Sequence, residues 1–329
     1  TGQQPVPLIF KQEISLGLNW KKKQGKGGIE MSLISKANAQ KLKKQVTGEV
    51  SPRGLELAGA LYNQFNEFHS KTHWDDPQIE ELLVRQKVYE MDNEGWFDSN
   101  GTIMFSPSSA SKCERELCLK AMKVQKDNKI LLPFQQRWVR NSSAIHEAVQ
   151  RDLLYMTKKM EDPPFKVLFN EEGLPMWEKN NAQYKEFEHN GVKFAIAGMM
   201  DGQLVYRDGS IIGFEFKTKS NSVAQVGHYK MKDVADYHRL QCVAYSLLFG
   251  LDEFIIMYEA VAKDQWFKGE DARIDIRTFY VNVTEQERND LLDKFARVTK
   301  SVQNDELRPC EPDKCGFCEY KSICGCKGV

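Results

Sequence analysis

The stretch Gly198-Met-Met-Asp201, followed after a turn by Ile211-Ile-Gly-Phe-Glu215-Phe-Lys217, carries two carboxylates and one ammonium at strand-like spacing. Successive side chains of a β-strand point to opposite faces, so Glu215 and Lys217 share one face while Phe214 and Phe216 take the other. Asp201 and Glu215 offer hard oxygen ligands to a divalent cation. Lys217 is then placed to neutralise charge or to orient a water that attacks phosphorus. A Glu-x-Lys triplet by itself is weak, because such pairs commonly line exposed strands. Its weight comes from what accompanies it.

The surrounding pattern supplies elements able to position these groups. Helical periodicity is expected over residues 32–46, 52–69 and 78–91. Ser106-Pro-Ser-Ser-Ala-Ser111 reads as a helix entry leading to Cys113, Arg115 and Cys118. A helix over 142–160 places His146, Val149, Leu153 and Met156 near one face, and Pro163-Pro164 ends it. Strands are expected at 167–169, 187–189, 192–200, 203–206 and 211–217, with Gly191 and Asp208-Gly209 as turns. A helix over 229–248 puts Gln241 and Tyr245 on one face. Strands at 253–260 and 273–281 and a helix over 284–302 follow. This order predicts an α/β (α+β mixed) fold in which a central mixed β-sheet is flanked by helices. The expected division is a basic arm and helical accessory region over 1–100, a core carrying Asp201, Glu215 and Lys217 over 101–302 and a cysteine-rich tail over 303–329.

The length of 329 residues suits one elaborated domain or two modest ones. No apolar run approaches the roughly 20 residues of a membrane span, and the start lacks the features of a secretory signal, so an intracellular, cytoplasmic setting is the expectation. Lys and Arg total 46, as do Asp and Glu. Overall charge therefore does not announce a nucleic-acid partner. Residues 1–48 nevertheless hold nine lysines against two glutamates, among them Lys21, Lys22, Lys23 and Lys26. They form either a phosphate-binding arm or a solvated tail. Lys219, His228, Lys230, Lys232, His238 and Arg239 pose the same choice between a phosphate-binding rim and solvated charge.

Five of the eight cysteines lie in the last twenty residues. Without a secretory signal this crowding favours a metal or iron-sulfur site over a disulfide scaffold. Cys315-Gly-Phe-Cys318 with Cys324 makes a close three-thiolate cassette. Cys310 with Cys315, Cys318 and Cys324 offers a competing four-cysteine zinc site. Cys118 and Cys242 read as packed apolar thiols.

Taken together, the ordered set resembles the PD-(D/E)xK nuclease superfamily, and within it the RecB-like exonuclease branch with a cysteine-bound cluster. Asp201 matches the first metal-binding carboxylate, Glu215-Phe-Lys217 the (D/E)xK segment, Gln241-Cys-Val-Ala-Tyr245 the QxxxY helix, and His146 the upstream histidine. The resemblance covers about residues 103–326. It implies Mg2+ or Mn2+ held by His146, Asp201, Glu215 and the Phe216 carbonyl, with Lys217, Gln241 and Tyr245 completing the catalytic set. It also implies a [4Fe-4S] cluster on Cys113, Cys315, Cys318 and Cys324. Simpler readings stand beside these: His146 as a packed helix polar group, Glu147 as a surface charge rather than an outer-sphere carboxylate, and Gln241 and Tyr245 as structural.

The resulting expectation is metal-dependent DNA hydrolysis, by an exonuclease acting on single strands or ends in repair, recombination or genome processing. A structure-selective endonuclease and a non-catalytic DNA-binding or scaffold protein are the alternatives. DNA is the expected partner, with a protein partner at residues 1–100 and a homo-oligomer left open.

Overall fold

The structure, a computed structural model, describes residues 51–93, 97, 101–128, 130–219 and 221–325. The basic arm with its expected 32–46 helix lies outside the described residues, as does Cys326.

A five-stranded mixed sheet runs in the order β2-β5-β6-β7-β8, formed by β2 (Phe165–Val167), β5 (Gly202–Tyr206), β6 (Ile211–Lys219), β7 (Glu253–Ala260) and β8 (Ile276–Asn282). Only β6 and β7 are parallel in it, and the crossover between them carries α5 (Asp236–Phe249), as parallel neighbours require. A three-stranded sheet, β1-β4-β3, joins β1 (Met104–Phe105), β4 (Val192–Met199) and β3 (Ala182–His189). Met200 and Asp201 are the link through which the chain leaves β4 for β5, so Asp201 stands at the junction of the two sheets.

Alternation along the strands divides the core. Ile212, Phe214 and Phe216 of β6, with Ile255 and Met257 of β7, pack against α1 (Pro52–His69) and α4 (Pro133–Lys159). Phe254, Ile256, Tyr258 and Ala260 of β7 pack on the other side with α5 and α6 (Glu285–Gln303). Helix α1 starts where the Ser51 hydroxyl accepts from the Gly54 N–H at 3.1 Å and Pro52 occupies the first turn. Its Leu57, Leu61, Phe65 and Phe68 recur at three- and four-residue intervals, which gives one face for the sheet. Arg53 then ties the helix to the rim of the sheet, donating to Glu253 at 2.6 and 2.8 Å and to Asp208 at 2.8 Å. Helix α6 begins with reciprocal Thr284 and Glu287 bonds, and α5 ends at Gly250, whose φ of 70° suits a residue without Cβ.

The expected mixed fold with flanking helices and a helical N-terminal region is present. Some boundaries differ. Helix α4 starts at Pro133, nine residues before the expected Ser142; its first turns bury no face, so no core-facing pattern announces them. The helix expected from Tyr229 begins only at Asp236. Strand β3 extends back to Ala182 because it pairs along its whole length with β4, although none of its residues is fully buried. No described helix is long and apolar enough to cross a membrane.

Gly213 is needed for a close approach. A Cβ there would lie 2.2 Å from Phe254 Cδ1 and 3.1 Å from Met200 Sδ, and Phe254 is fully buried. Gly213→Ala is therefore expected to destabilise the fold by about 1–3 kcal/mol, read as a lower urea midpoint with an unchanged slope.

Candidate active site

Asp201, Glu215 and Lys217 come together as strand geometry predicts. The Phe216 N–H donates to Asp201 Oδ2 at 2.8 Å, fixing the carboxylate against β6. On the opposite side of the strand from Phe216, Glu215 Oε1 accepts from Lys217 Nζ. Glu215 is only 1% exposed, and its second oxygen, Oε2, has no hydrogen-bond partner among the described residues. A buried carboxylate oxygen without a donor is costly unless something cationic satisfies it.

His146 reaches the same place from α4. Its Nδ1 lies 3.9 Å from Asp201 Oδ2, and its ring meets Phe216 edge-on at 4.8 Å. A third group completes the cluster, and it is one that sequence reasoning missed: one ligand atom each from His146, Glu178 and Asp201 lie within 4.8 Å of one another. Glu178 arrives by backbone pairing. Its N–H donates to the Met200 carbonyl at 3.1 Å, and the Gln203 N–H donates to the Met176 carbonyl at 3.0 Å, so segment 176–178 runs beside 200–203. The Glu178 backbone has φ 47°, a left-handed conformation uncommon for a non-glycine residue and typical of positions held for function.

Gln150, one helical turn beyond His146, holds the arrangement from behind. Its Nε2 donates to Glu178 Oε1 and to the Asp201 carbonyl, both at 3.2 Å. The i, i+4 relation to His146 was the signal available for it. Gln150→Leu keeps the bulk but frees both groups, and is expected to cost about 10–100-fold in metal affinity or activity. Titrating cleavage with Mn2+ separates the two, because a positioning loss raises the metal concentration needed for half-maximal rate.

The electrostatics suit a cation. Burial pushes Asp201 up to about 6, with Lys217 opposing. Burial followed by the Asp201 charge pushes Glu215 up to about 7, again with Lys217 opposing. Burial also raises Glu178. Each of these carboxyls gains from a nearby positive charge. Burial, then Lys217, lowers His146, which keeps the imidazole in the neutral form that ligates metals. For Lys217 the charges of Glu215 and Asp201 outweigh the cost of burial, so it remains an ammonium. Two oxygens and one imidazole nitrogen, with the unpartnered Glu215 oxygen nearby, fit Mg2+ or Mn2+.

Gln241 and Tyr245 bond each other, Nε2 to hydroxyl at 2.8 Å. Tyr245 is buried, and its phenol is raised chiefly by burial, then by the Glu215 and Asp201 charges. Glu147 is surface-exposed, 3.7 Å from Lys87. Within the expected basic rim, His238 is buried and shares a 2.7 Å hydrogen bond with the Tyr258 hydroxyl. Arg239 pairs with Glu287 at 2.6 Å, and Arg277 lies 3.1 Å from His228. Lys230 and Lys232 are exposed.

The cysteine tail corrects the expectation. Among the described residues no group of cysteines brings three thiols within reach of one ion; the qualifying set is His146, Glu178 and Asp201. Cys318 and Cys324 pack with Leu119 and Tyr320 in a small apolar cluster. Cys113 Sγ instead faces the Glu311 N–H at 3.4 Å. Burial raises the Cys315 and Cys318 thiols, as befits packed neutral groups. Cys310 is disulfide-bonded and is removed as a thiolate. The [4Fe-4S] cluster on Cys113, Cys315, Cys318 and Cys324 is thus overturned, together with the structural zinc alternative and the RecB-like branch that implied a cluster. Cys118 and Cys242 are fully buried in the main core.

What stands is the broader class. The sequence profile of the PD-(D/E)XK nuclease superfamily matches residues 121–325, which include every residue of the metal cluster, and the chain belongs to that superfamily. No curated protein gives a significant match. Among solved structures, SSO0001 is 15% identical with a TM-score of 0.41, covering 76% of this chain and 97% of its own. Rai1 of Scheffersomyces stipitis is 12% identical with a TM-score of 0.23, covering 71% of this chain and 69% of its own. These likenesses are too distant to carry an argument. The chain therefore has a nuclease-superfamily core with a His/Glu/Asp cluster suited to metal-assisted phosphodiester cleavage.

Proposed function

We propose that the protein is a metal-dependent deoxyribonuclease, an exonuclease acting on single strands or DNA ends in repair, recombination or genome processing. The observation that carries this reading is the convergence of His146 and Glu178 on an Asp201 carboxylate fixed by the Phe216 N–H, with the Lys217 ammonium beside it on β6. His146, Glu178 and Asp201 would hold Mg2+ or Mn2+, with Glu215 and the Phe216 carbonyl adjoining. When bound, such an ion supplies Lewis-acid stabilisation of the phosphate charge and a lowered pKa for its water.

The chain's own groups do the remainder. Lys217 keeps its proton and opposes the negative charge that gathers on the phosphoryl oxygens. Asp201 and Glu215 present carboxylate oxygens in a poorly solvated recess, where each electrostatic contact counts for more than in water. Gln150 keeps Glu178 and the Asp201 backbone in register, and Gln241 and Tyr245, bonded to each other on α5, complete the expected set. Nothing in this set reads base edges, so little sequence preference is expected.

The test is cleavage of 5′-labelled linear, 3′-labelled linear and circular single-stranded DNA with each metal. Stepwise shortening of the linear substrates with intact circles supports the exonuclease. Efficient cutting of circles makes the protein an endonuclease, and binding without turnover in either metal makes it a scaffold.

A further inference from the structure

Helix α4 is 27 residues long, about 40 Å, yet its buried side chains begin only at Val149. The preceding turns project from the body and leave large apolar groups in solvent: Phe134 is 45% exposed and Trp138 50%. Their rings stand edge to face with centroids 5.7 Å apart. Such residues are unneeded for the fold where they are, and an exposed apolar cluster of this kind marks a binding surface.

Three observations identify the occupant. First, Phe134, Trp138, Ser142 and His146 succeed one another at four-residue steps, so they form one ridge that leads into the metal cluster. Ser142 anchors this ridge at the carboxyl end of β6, its hydroxyl 2.8 Å from that of Thr218. Second, residues 130–146 contain Arg137 and Arg140 and no Asp or Glu, and both arginines are exposed. Third, Arg137 stands three residues after Phe134 and so adjoins the ridge, where its charge disfavours a second copy seated on the same face, because each copy would bring the same arginine to the contact. Aromatic faces flanked by arginine suit bases and phosphates of an unpaired strand.

We infer that the projecting amino-terminal half of α4 is a single-strand-binding arm, on which Phe134 and Trp138 stack bases while Arg137 holds phosphate beside them and the ridge directs the strand to the His146 cluster. This rests on the deoxyribonuclease reading for what happens at the cluster, while the binding itself is measured independently. Unpaired bases have free π-faces to offer such rings, whereas duplex bases are already stacked. The arm therefore discriminates for single strands.

The test compares the full chain with a Phe134→Ala/Trp138→Ala double variant. Affinity for a fluorescein-labelled oligothymidylate is expected to fall about tenfold or more per ring removed. A matched blunt duplex is expected to lose much less. The rate ratio of oligothymidylate to bis(p-nitrophenyl) phosphate, a diester too short to reach the arm, falls with the affinity. Trp138→Tyr alone keeps most of the binding. Arg137→Gln flattens the dependence of log K on log salt by about 0.7. Unchanged oligothymidylate affinity in the double variant overturns the inference. So does sedimentation in which the wild type self-associates and the double variant does not. If the wild type hydrolyses neither diester, the nuclease reading fails, and the binding comparison still decides the arm.

Discussion

Asp201→Asn is expected to reduce metal-dependent cleavage on the order of 10³-fold or more while leaving the protein folded. Three relations of the site meet at the Asp201 carboxylate. It accepts the Phe216 N–H at 2.8 Å, lies 3.9 Å from His146 and shares the candidate metal with Glu178. Asparagine keeps an oxygen for the Phe216 N–H, so the junction between β4 and β5 stays anchored, but it removes the charge a cation needs. Asp201→Ala removes both. That leaves a buried backbone donor unpaired, at a cost of about 1–3 kcal/mol, partly offset by loss of a carboxyl that burial already disfavours. The two variants should therefore be equally inactive and differ in stability, with asparagine the more stable. Single-turnover assays on labelled linear DNA in Mn2+, paired with thermal unfolding in chelator, read both. Near-normal cleavage by Asp201→Asn would remove this residue from the chemistry.

Much of this centre was legible because a buried strand cannot hide charge. Glu215 and Lys217, two apart among phenylalanines, had to share a cavity, and the alternation of β6 puts them in one. His146 could be placed on a helix face for the same kind of reason, whereas Gln150, one turn further on, was missed although its spacing from His146 was there to read. Glu178 had no such signature. It lies in a short turn, is brought to Asp201 by two long-range backbone bonds, and owes its position to a left-handed φ that no local pattern announces. The amino-terminal turns of α4 escaped notice for the opposite reason: periodicity reports a buried face, and these turns bury none. Cysteine spacing misled because sequence counts thiols without saying where they point. Cys318 and Cys324 serve an apolar contact with Leu119 and Tyr320, and convergence on an ion is a separate geometric demand.

Glu215→Gln is expected to stabilise the metal-free protein at about pH 8 by up to about 3 kcal/mol, while destroying most of the activity. The Glu215 carboxyl is buried, one oxygen meets Lys217 and the other meets no donor among the described residues. Burial and then the Asp201 charge raise it from 4.5 to about 7, and burial raises Asp201 from 3.8 to about 6. A folded-state value above the unfolded one means that folding favours the protonated form. The stabilising share is complete below about pH 4 and is lost as pH rises through about 6 to 7. In chelator the wild type should therefore lose stability across that window, and Glu215→Gln, which has no charge to bury, should lose less. A divalent cation reverses the penalty by supplying the missing positive charge, so Mn2+ should raise the unfolding temperature of the wild type at about pH 8 more than that of the variant. Urea midpoints at about pH 5 and about pH 8, with and without Mn2+, test both halves. Parallel pH profiles for the two proteins in chelator would show that Glu215 is not the buried charge at issue. Divergent profiles together with lost cleavage would mean that the fold carries an unfavourable carboxylate because the metal-bound state needs it.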